Sequence, residues 1–366
     1  MTTQNVRELA EYKVAVALMN YMSPCLMLLG LVGNTIVFVV LAKSSMRETT
    51  TSLYLRFLAV FDSLVLYVGL MRHWIIYLVE YDIRDYSPVV CKIHTWGNYW
   101  AIHTSAWLLV SVTLERCFSV WFPHKVKMIC TRRKTYTIII TIMLVLATLN
   151  AHYLYGLGEY IETIENETFA DTCDSMYSDY YDFELLIWPW VDICIYSVFP
   201  SSILIMCNIS IIYKVVTSSR QVLHHDFSNG NSIQNRSVAS RQSQSSSLTV
   251  MLLSVSFTYV VCTTPFSIFV IYSNVFAPGE YESAHDQAVD KLVWSVVNML
   301  QYTNNCINFI LYCVSGKRFR NELSGLCSRQ DRSNPEIYSV PLSNSGTNTT
   351  STAGPSFGST SIFSAN

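Results

Sequence analysis

Glu115-Arg116-Cys117 closes an apolar, aromatic-rich stretch that opens at Cys91, and Pro123 follows seven residues after the arginine. An acid beside an arginine at the end of a membrane-length helix is expensive to place and usually functional. The chemistry it offers is electrostatic. The arginine can be held by Glu115 in one state and released to a partner in another, which is a bistable element. An arginine that merely snorkels to an interface is the alternative. A second ionisable group at depth is Asp62, in Leu58-Ala59-Val60-Phe61-Asp62. Asn34, Ser105, Asn304 and Asn308 lie at similar depth in other apolar runs. One carboxylate with oxygen and amide partners can coordinate a sodium ion or form a proton-sensitive hydrogen-bonded knot. It can equally serve as glue between helices.

Such groups need helices to carry them, and the composition supplies these. The chain has 366 residues, 51% hydrophobic and 14% charged, against roughly 25% charged in soluble domains. The deficit is concentrated in long apolar runs. A hydrocarbon core of ~30 Å needs about 20 mostly apolar residues per helix. Seven runs qualify: 14–41, 52–79, 89–122, 135–157, 186–215, 247–273 and 288–314. The spacing therefore predicts an all-α membrane protein, a seven-helix transmembrane bundle spanning 14–327, with a short N-terminus (1–13) and a disordered tail (328–366). Near-neutral charge gives no sign of a nucleic-acid partner. Residues 1–13 lack the pattern of a secretory signal, so the first run is expected to serve as the insertion signal.

Lysine and arginine set the orientation. Lys43 and Arg47, then Lys125 to Lys134, then Lys214 and Arg220, then Lys317, Arg318 and Arg320 all fall on one side. The segment 159–184 holds nine carboxylates and no lysine or arginine. This puts the N-terminus outside and the C-terminus inside. Asn166-Glu167-Thr168 fits an N-glycosylation site in that outer loop. Of eleven cysteines, most lie within apolar runs, whereas Cys91 stands at the mouth of the third run and Cys173 in the acidic loop. A disulfide between these two is the economical pairing in an oxidising compartment. The Ser/Asn/Gln-rich segment 218–247 and the Ser/Thr-rich tail carry too little apolar surface to offset ordering entropy. Between the last run and the tail, Phe319, Leu323 and Leu326 recur at helical spacing among basic residues. They predict an amphipathic eighth helix on the inner membrane face. Cys327 at its end is either palmitoylated or a free thiol.

In this order the motifs resemble a rhodopsin-like (class A) G-protein-coupled receptor over residues 14–327. Gly33-Asn34, Leu58 to Asp62, Glu115-Arg116-Cys117 with Pro123, Pro200, Cys262-Thr263-Thr264-Pro265 and Asn308-Phe309-Ile310-Leu311-Tyr312 resemble that family's successive span signatures. The departures are specific. Thr263 stands for a tryptophan, Phe309 for a proline and Asn208 for a tyrosine; span four has no tryptophan, and Ser245 is not acidic. The resemblance implies that Glu115, Arg116, Pro123, Asn308 and Tyr312 serve activation and coupling to a heterotrimeric G protein. Without an acid at Ser245, the rearrangement must use other packing, such as Tyr259 and Phe266. Ser343 to Ser364 offer sites for a receptor kinase and arrestin.

The resemblance also locates a ligand cavity between the helices' outer halves. Asn98 occupies the place of the aspartate of amine receptors, arguing against a monoamine. Tyr302 and Gln301 stand where a retinal-binding lysine would be. The acidic loop, with Tyr160, Tyr177, Tyr180 and Tyr181, points to a cationic ligand, or is simply a solvated face. Asp192 suits a peptide arginine or an internal pair. Gln301, Asn298 and Asn98 suit backbone amides or a terminal carboxamide, with Phe266 and Tyr302 beside them. Arg72 attracts an acidic ligand group or pairs internally. The segment 304–320 is similar to invertebrate neuropeptide receptors of the FMRFamide and myosuppressin group. That likeness implies a basic, amidated neuropeptide at a plasma-membrane receptor; a non-peptide small molecule is the alternative. The membrane lipid is the remaining partner. Neither metal-ligand histidine spacing nor Gly-x-Ser-x-Gly occurs in a span, so no enzyme is expected, and no cofactor beyond the sodium ion.

Overall fold

The computed structural model describes residues 5–43, 45–164, 167–226, 234–275, 281 and 283–331. The long helices in chain order are α1 (Ala10–Lys43), α2 (Thr50–Val79), α3 (Pro88–Trp121), α4 (Arg132–Leu149), α5 (Ser178–Ser218, continuing to Asp226), α6 (Gln234–Val275) and α7 (Ala284–Ser315). A shorter helix, α8 (Lys317–Asp331), follows. α1, α2, α4, α5 and α6 are long and apolar enough to cross a membrane. α3 and α7 have spanning length, 34 and 32 residues. They are more polar because they turn amides and hydroxyls inward: Asn298, Gln301, Asn304, Asn305 and Asn308 of α7 are all buried. Intramembrane polar groups belong in such interior positions.

Each helix begins where its sequence allows. Ser87 caps α3 through a hydrogen bond to the Val90 N–H at 3.3 Å, with Pro88 at the first helical position, where its missing N–H costs nothing. Thr49 caps α2 and Thr131 caps α4. Gly33 lets α1 reach α7: a Cβ there would stand 2.9 Å from that of Phe309. The amphipathic end of the chain packs as the spacing predicts. Phe319 of α8 is fully buried against Tyr312, and Leu323 and Leu326 join the same core.

Three features differ from the sequence reading. The outer acidic segment forms an antiparallel hairpin, β1 (Leu157–Ile164) with β2 (Glu167–Ser175). Second, α5 runs to Asp226 and α6 starts at Gln234, so the flanks of 218–247 are helical. Helix propagation from an existing span avoids the nucleation cost that a polar segment alone would face. Third, α4 has no tryptophan of its own, yet α3 supplies two. Trp96 donates to the Ala147 carbonyl and Trp100 to that of Met143, each at 2.9 Å. Their rings stack with centroids 5.4 Å apart.

Candidate functional site

α2 and α5 contain π-helical turns, at Val65–Leu70 in α2 and at Phe183–Ile187 and Cys194–Val198 in α5. Such turns rotate the residues beyond them and recur at functional sites. Here they bring Arg72 and Asp192 onto the walls of one cavity of about 370 Å³. All seven residues expected to face a ligand line it: Arg72, Asn98, Asp192, Phe266, Asn298, Gln301 and Tyr302. It lies at the bundle face that carries the disulfide. A larger cavity of about 1170 Å³ shares Arg72, His73 and Trp294 with it. The His73 and Trp294 rings meet edge to face at 5.0 Å in that shared wall.

The polar groups of this chamber divide into satisfied and unsatisfied. Arg72 is held along one edge: Nε and Nη2 grip Asp82 at 2.9 and 2.5 Å, the internal pairing that the sequence left open. Asn298 donates to the Trp294 carbonyl of its own helix at 2.9 Å. By contrast, Asn98 Oδ1, Gln301 Oε1 and Trp188 Nε1 are buried without a protein partner. Unpaired buried polar atoms cost about 1–3 kcal/mol each, so these three are poised for a ligand. Gly69 lies against Asn98 and Tyr302; a Cβ there would stand 2.6 Å from Asn98 Oδ1.

Asp192 lies 2.9 Å from His103 Nε2, and Asn150 Nδ2 lies 3.1 Å from His103 Nδ1 and 2.8 Å from the Leu146 carbonyl. A carbonyl only accepts, so the Asn150 amide presents its N–H₂, and His103 Nδ1 must accept from it. That leaves the proton on Nε2, donated to Asp192. The arrangement is a neutral imidazole beside a carboxylate, with no full counter-charge. His103 was missed in the sequence; the signal was an ionisable side chain midway along an apolar run.

Deeper, Asp62 is fully buried and accepts from Ser105 Oγ (2.5 Å), Asn305 Nδ2 (2.9 Å) and Asn308 Nδ2 (2.7 Å). Asn34 Nδ2 donates to the Asn305 carbonyl at 3.1 Å. Of the five polar residues expected here, Asn304 is buried nearby, but its neighbour Asn305 makes the bond to Asp62. One residue turns a helix by 100°, so depth along α7 did not tell which amide faced the acid.

At the opposite face, Glu115 and Arg116 do not pair with each other within ion-pair distance. Glu115 accepts from Thr50 Oγ1 at 2.6 Å and from Thr51 Oγ1 at 3.2 Å, while Arg116 Nη2 donates to Thr51 Oγ1. Two threonines at the start of α2 engage them instead, Thr50 bonding Glu115 alone and Thr51 bonding both, so the state with Arg116 held by Glu115 is not the one seen here. Pro123 lies in the exposed turn after α3, and Tyr312 is buried beside α8. The disulfide joins Cys91 at the top of α3 to Cys173 on β2, with 5.4 Å between the Cα atoms. Asn166 and the side chains of Ser245 and Cys327 lie outside the described residues, as do Ser343 to Ser364.

A seven-helix bundle with a polar chamber at one face, a buried carboxylate bonded by three donors and an arginine held by a threonine at the other fits a membrane receptor. Residues 33–312 match the 7 transmembrane receptor (rhodopsin family), and the chain belongs to that family. It is a multi-pass plasma-membrane receptor and not an enzyme. It is similar to growth hormone secretagogue receptor type 1 of Mus musculus, 24% identical over 305 residues, covering 81% of this chain and 76% of that receptor. C-C chemokine receptor type 1 of Homo sapiens is 23% identical over 308 residues, covering 82% and 77%. G-protein coupled receptor 65 of Homo sapiens is 22% identical over 311 residues, covering 80% and 83%.

Proposed function

We propose that the chain is a receptor for an extracellular neuropeptide, basic and amidated, that activates heterotrimeric G proteins. The observation that carries this reading is the chamber's unmet demand. Asp192 faces only a neutral His103, so it favours a ligand cation. Asn98 Oδ1 and Gln301 Oε1 lack donors, and a terminal carboxamide supplies two N–H groups. The adjoining cavity of about 1170 Å³ has room for the rest of a peptide. Relatives named as receptors for a growth hormone secretagogue and for C-C chemokines accord with an extracellular signal. The inner chamber alone, at about 370 Å³, also suits a drug-sized molecule, which keeps a non-peptide ligand as the second reading. The basic loops and the acidic hairpin support an N-terminus outside and a C-terminus inside, with Asn166 glycosylated.

The test is a panel of synthetic amidated peptides applied to cells expressing the full chain, read by calcium and nucleotide exchange. An arginine-bearing peptide amide activates, and Asp192→Asn weakens it about tenfold or more, as expected for a lost charge-assisted bond. The same peptide with citrulline for arginine loses much less. Equal losses remove Asp192 as the arginine partner; activation by non-peptide amines alone favours the second reading.

Asp62 and Ser105 also fit one small hard cation. Nearby, Asn34 Oδ1 and Asn308 Oδ1 are buried without hydrogen-bond partners. A sodium ion held there would neutralise Asp62 and hold α2, α3 and α7 together.

A further inference from the structure

We infer that the guanidinium edges of Arg72 and Arg84 left free by Asp82 form a subsite for an acidic group of the ligand, a carboxylate or a sulfate. The inference rests on the chamber being the ligand site and deepens it: the ligand carries an acid as well as a base.

Arg84 lies on the turn Ile83–Tyr86 between α2 and α3. It presents the same edge to Asp82 as Arg72 does, Nε at 3.0 Å and Nη2 at 2.9 Å. The backbone N–H of Arg84 donates to the other oxygen at 3.1 Å. One carboxylate is thus shared by two guanidinium groups, and the triad keeps one net positive charge. Each arginine spends its Nε edge on the protein and retains its Nη1 edge. Both line the inner chamber, and Arg72 lines the outer cavity too. Guanidinium edges prefer bidentate oxyanions over any neutral acceptor.

The other nearby carboxylates offset part of this charge without bonding to either arginine. Glu184 of α5, which also lines the chamber, accepts from Ser175 Oγ at 2.7 Å and keeps its negative charge. Asp85 and Asp171 are exposed to solvent. His94 gives Nε2–H to the Val68 carbonyl at 3.0 Å, while His94 Nδ1 is buried without a partner. Burial alone would push the Asp82 carboxyl up, but hydrogen bonds from Arg72 and Arg84 hold it well below the ordinary carboxylate range. A depressed carboxyl keeps its stabilising charge above its unfolded value and loses it only as pH falls toward the folded one. The two arginines therefore stay fixed at any physiological pH. With Asp192 lining the same chamber from α5, the pocket presents cationic and anionic walls to one ligand.

Two measurements test this. The first uses pairs of arginine-bearing peptide amides that differ only in glutamate against glutamine at one position, scanned upstream of the arginine, on membranes holding the full chain. At one position the acid raises potency at least tenfold; Arg84→Gln collapses that ratio toward one, and Arg84→Lys restores part of it. A ratio near one at every position on wild type, or a high ratio that Arg84→Gln leaves intact, overturns the subsite. The second needs no peptide: the purified receptor is melted in sodium sulfate and in sodium chloride of equal ionic strength. Sulfate raises the melting temperature of wild type by several degrees more than that of Arg84→Gln. An equal rise in both proteins is general salting and refutes the anion site. If no peptide activates while the sulfate difference appears, the peptide reading fails and the anion subsite stands.

Discussion

At the scale of single residues, Thr51 matters more than its plain chemistry suggests. Its hydroxyl serves Arg116 and Glu115 at once, on the helix end opposite them. Arg116 Nε is buried without a partner, so the arginine is restrained by few bonds and is costly to strand. Replacing the hydroxyl by a methyl group keeps the volume and removes the restraint. Thr51→Val should raise ligand-independent nucleotide exchange roughly fivefold, the effect of a bond worth about 1 kcal/mol. Thr51→Ser should stay near wild type. Basal exchange per receptor at the cell surface is the measurement, and an unchanged value would remove Thr51 as the latch. Arg116→Ala should abolish agonist-driven exchange with surface expression largely retained. Arg116 and Asp62 stood out as candidates in the sequence because charge inside an apolar run is conspicuous. The partners were not: Thr51, His103 and Asn305 depend on helix rotation and on neighbours distant in the chain.

Whole elements were more legible than their contacts. Apolar length announced all seven helices, and the spacing of Phe319, Leu323 and Leu326 announced α8. The hairpin was hidden because its acidic composition reads as solvated loop, and the π turns carry no compositional mark. The exchange of tryptophans was also hidden. α4 exposes much of its surface to lipid, with Ile140, Leu144 and Val145 half exposed or more, so few side chains lock it to the bundle. The indole N–H groups of Trp96 and Trp100 grip its backbone instead. Trp100→Phe keeps an aromatic ring against Trp96 and Phe61, with which Trp100 makes an edge contact at 5.3 Å. It loses one hydrogen bond of about 1 kcal/mol. The purified receptor should melt a few degrees lower, and the double Trp96→Phe, Trp100→Phe variant should lose more than either alone. Unchanged melting in the double variant would mean that α4 is held by something other than these bonds.

Across the molecule, α7 is the element common to both ends. Gln301 and Tyr302 face the polar chamber, Asn305 and Asn308 bind Asp62 below, and Tyr312 packs on α8 beyond. Asp62 therefore joins α7 to α2 and α3 at one carboxylate, and α2 and α3 in turn carry Thr51 and Arg116. A ligand that prefers one position of α7 must change how three donors meet that acid, which is the differential contact a population shift requires. Asp62→Asn preserves shape but removes the charge and places a donor among donors. The variant should reach the surface and bind an activating peptide within about threefold of wild type, since no part of Asp62 lines the chamber; its maximal nucleotide exchange should fall at least fivefold. If sodium occupies the hub, replacing sodium by N-methylglucamine should raise agonist affinity in wild type and leave Asp62→Asn indifferent. Full exchange by Asp62→Asn would show that the chamber reaches Arg116 by another route, such as the bond from the Tyr259 hydroxyl to the Tyr196 carbonyl between α6 and α5.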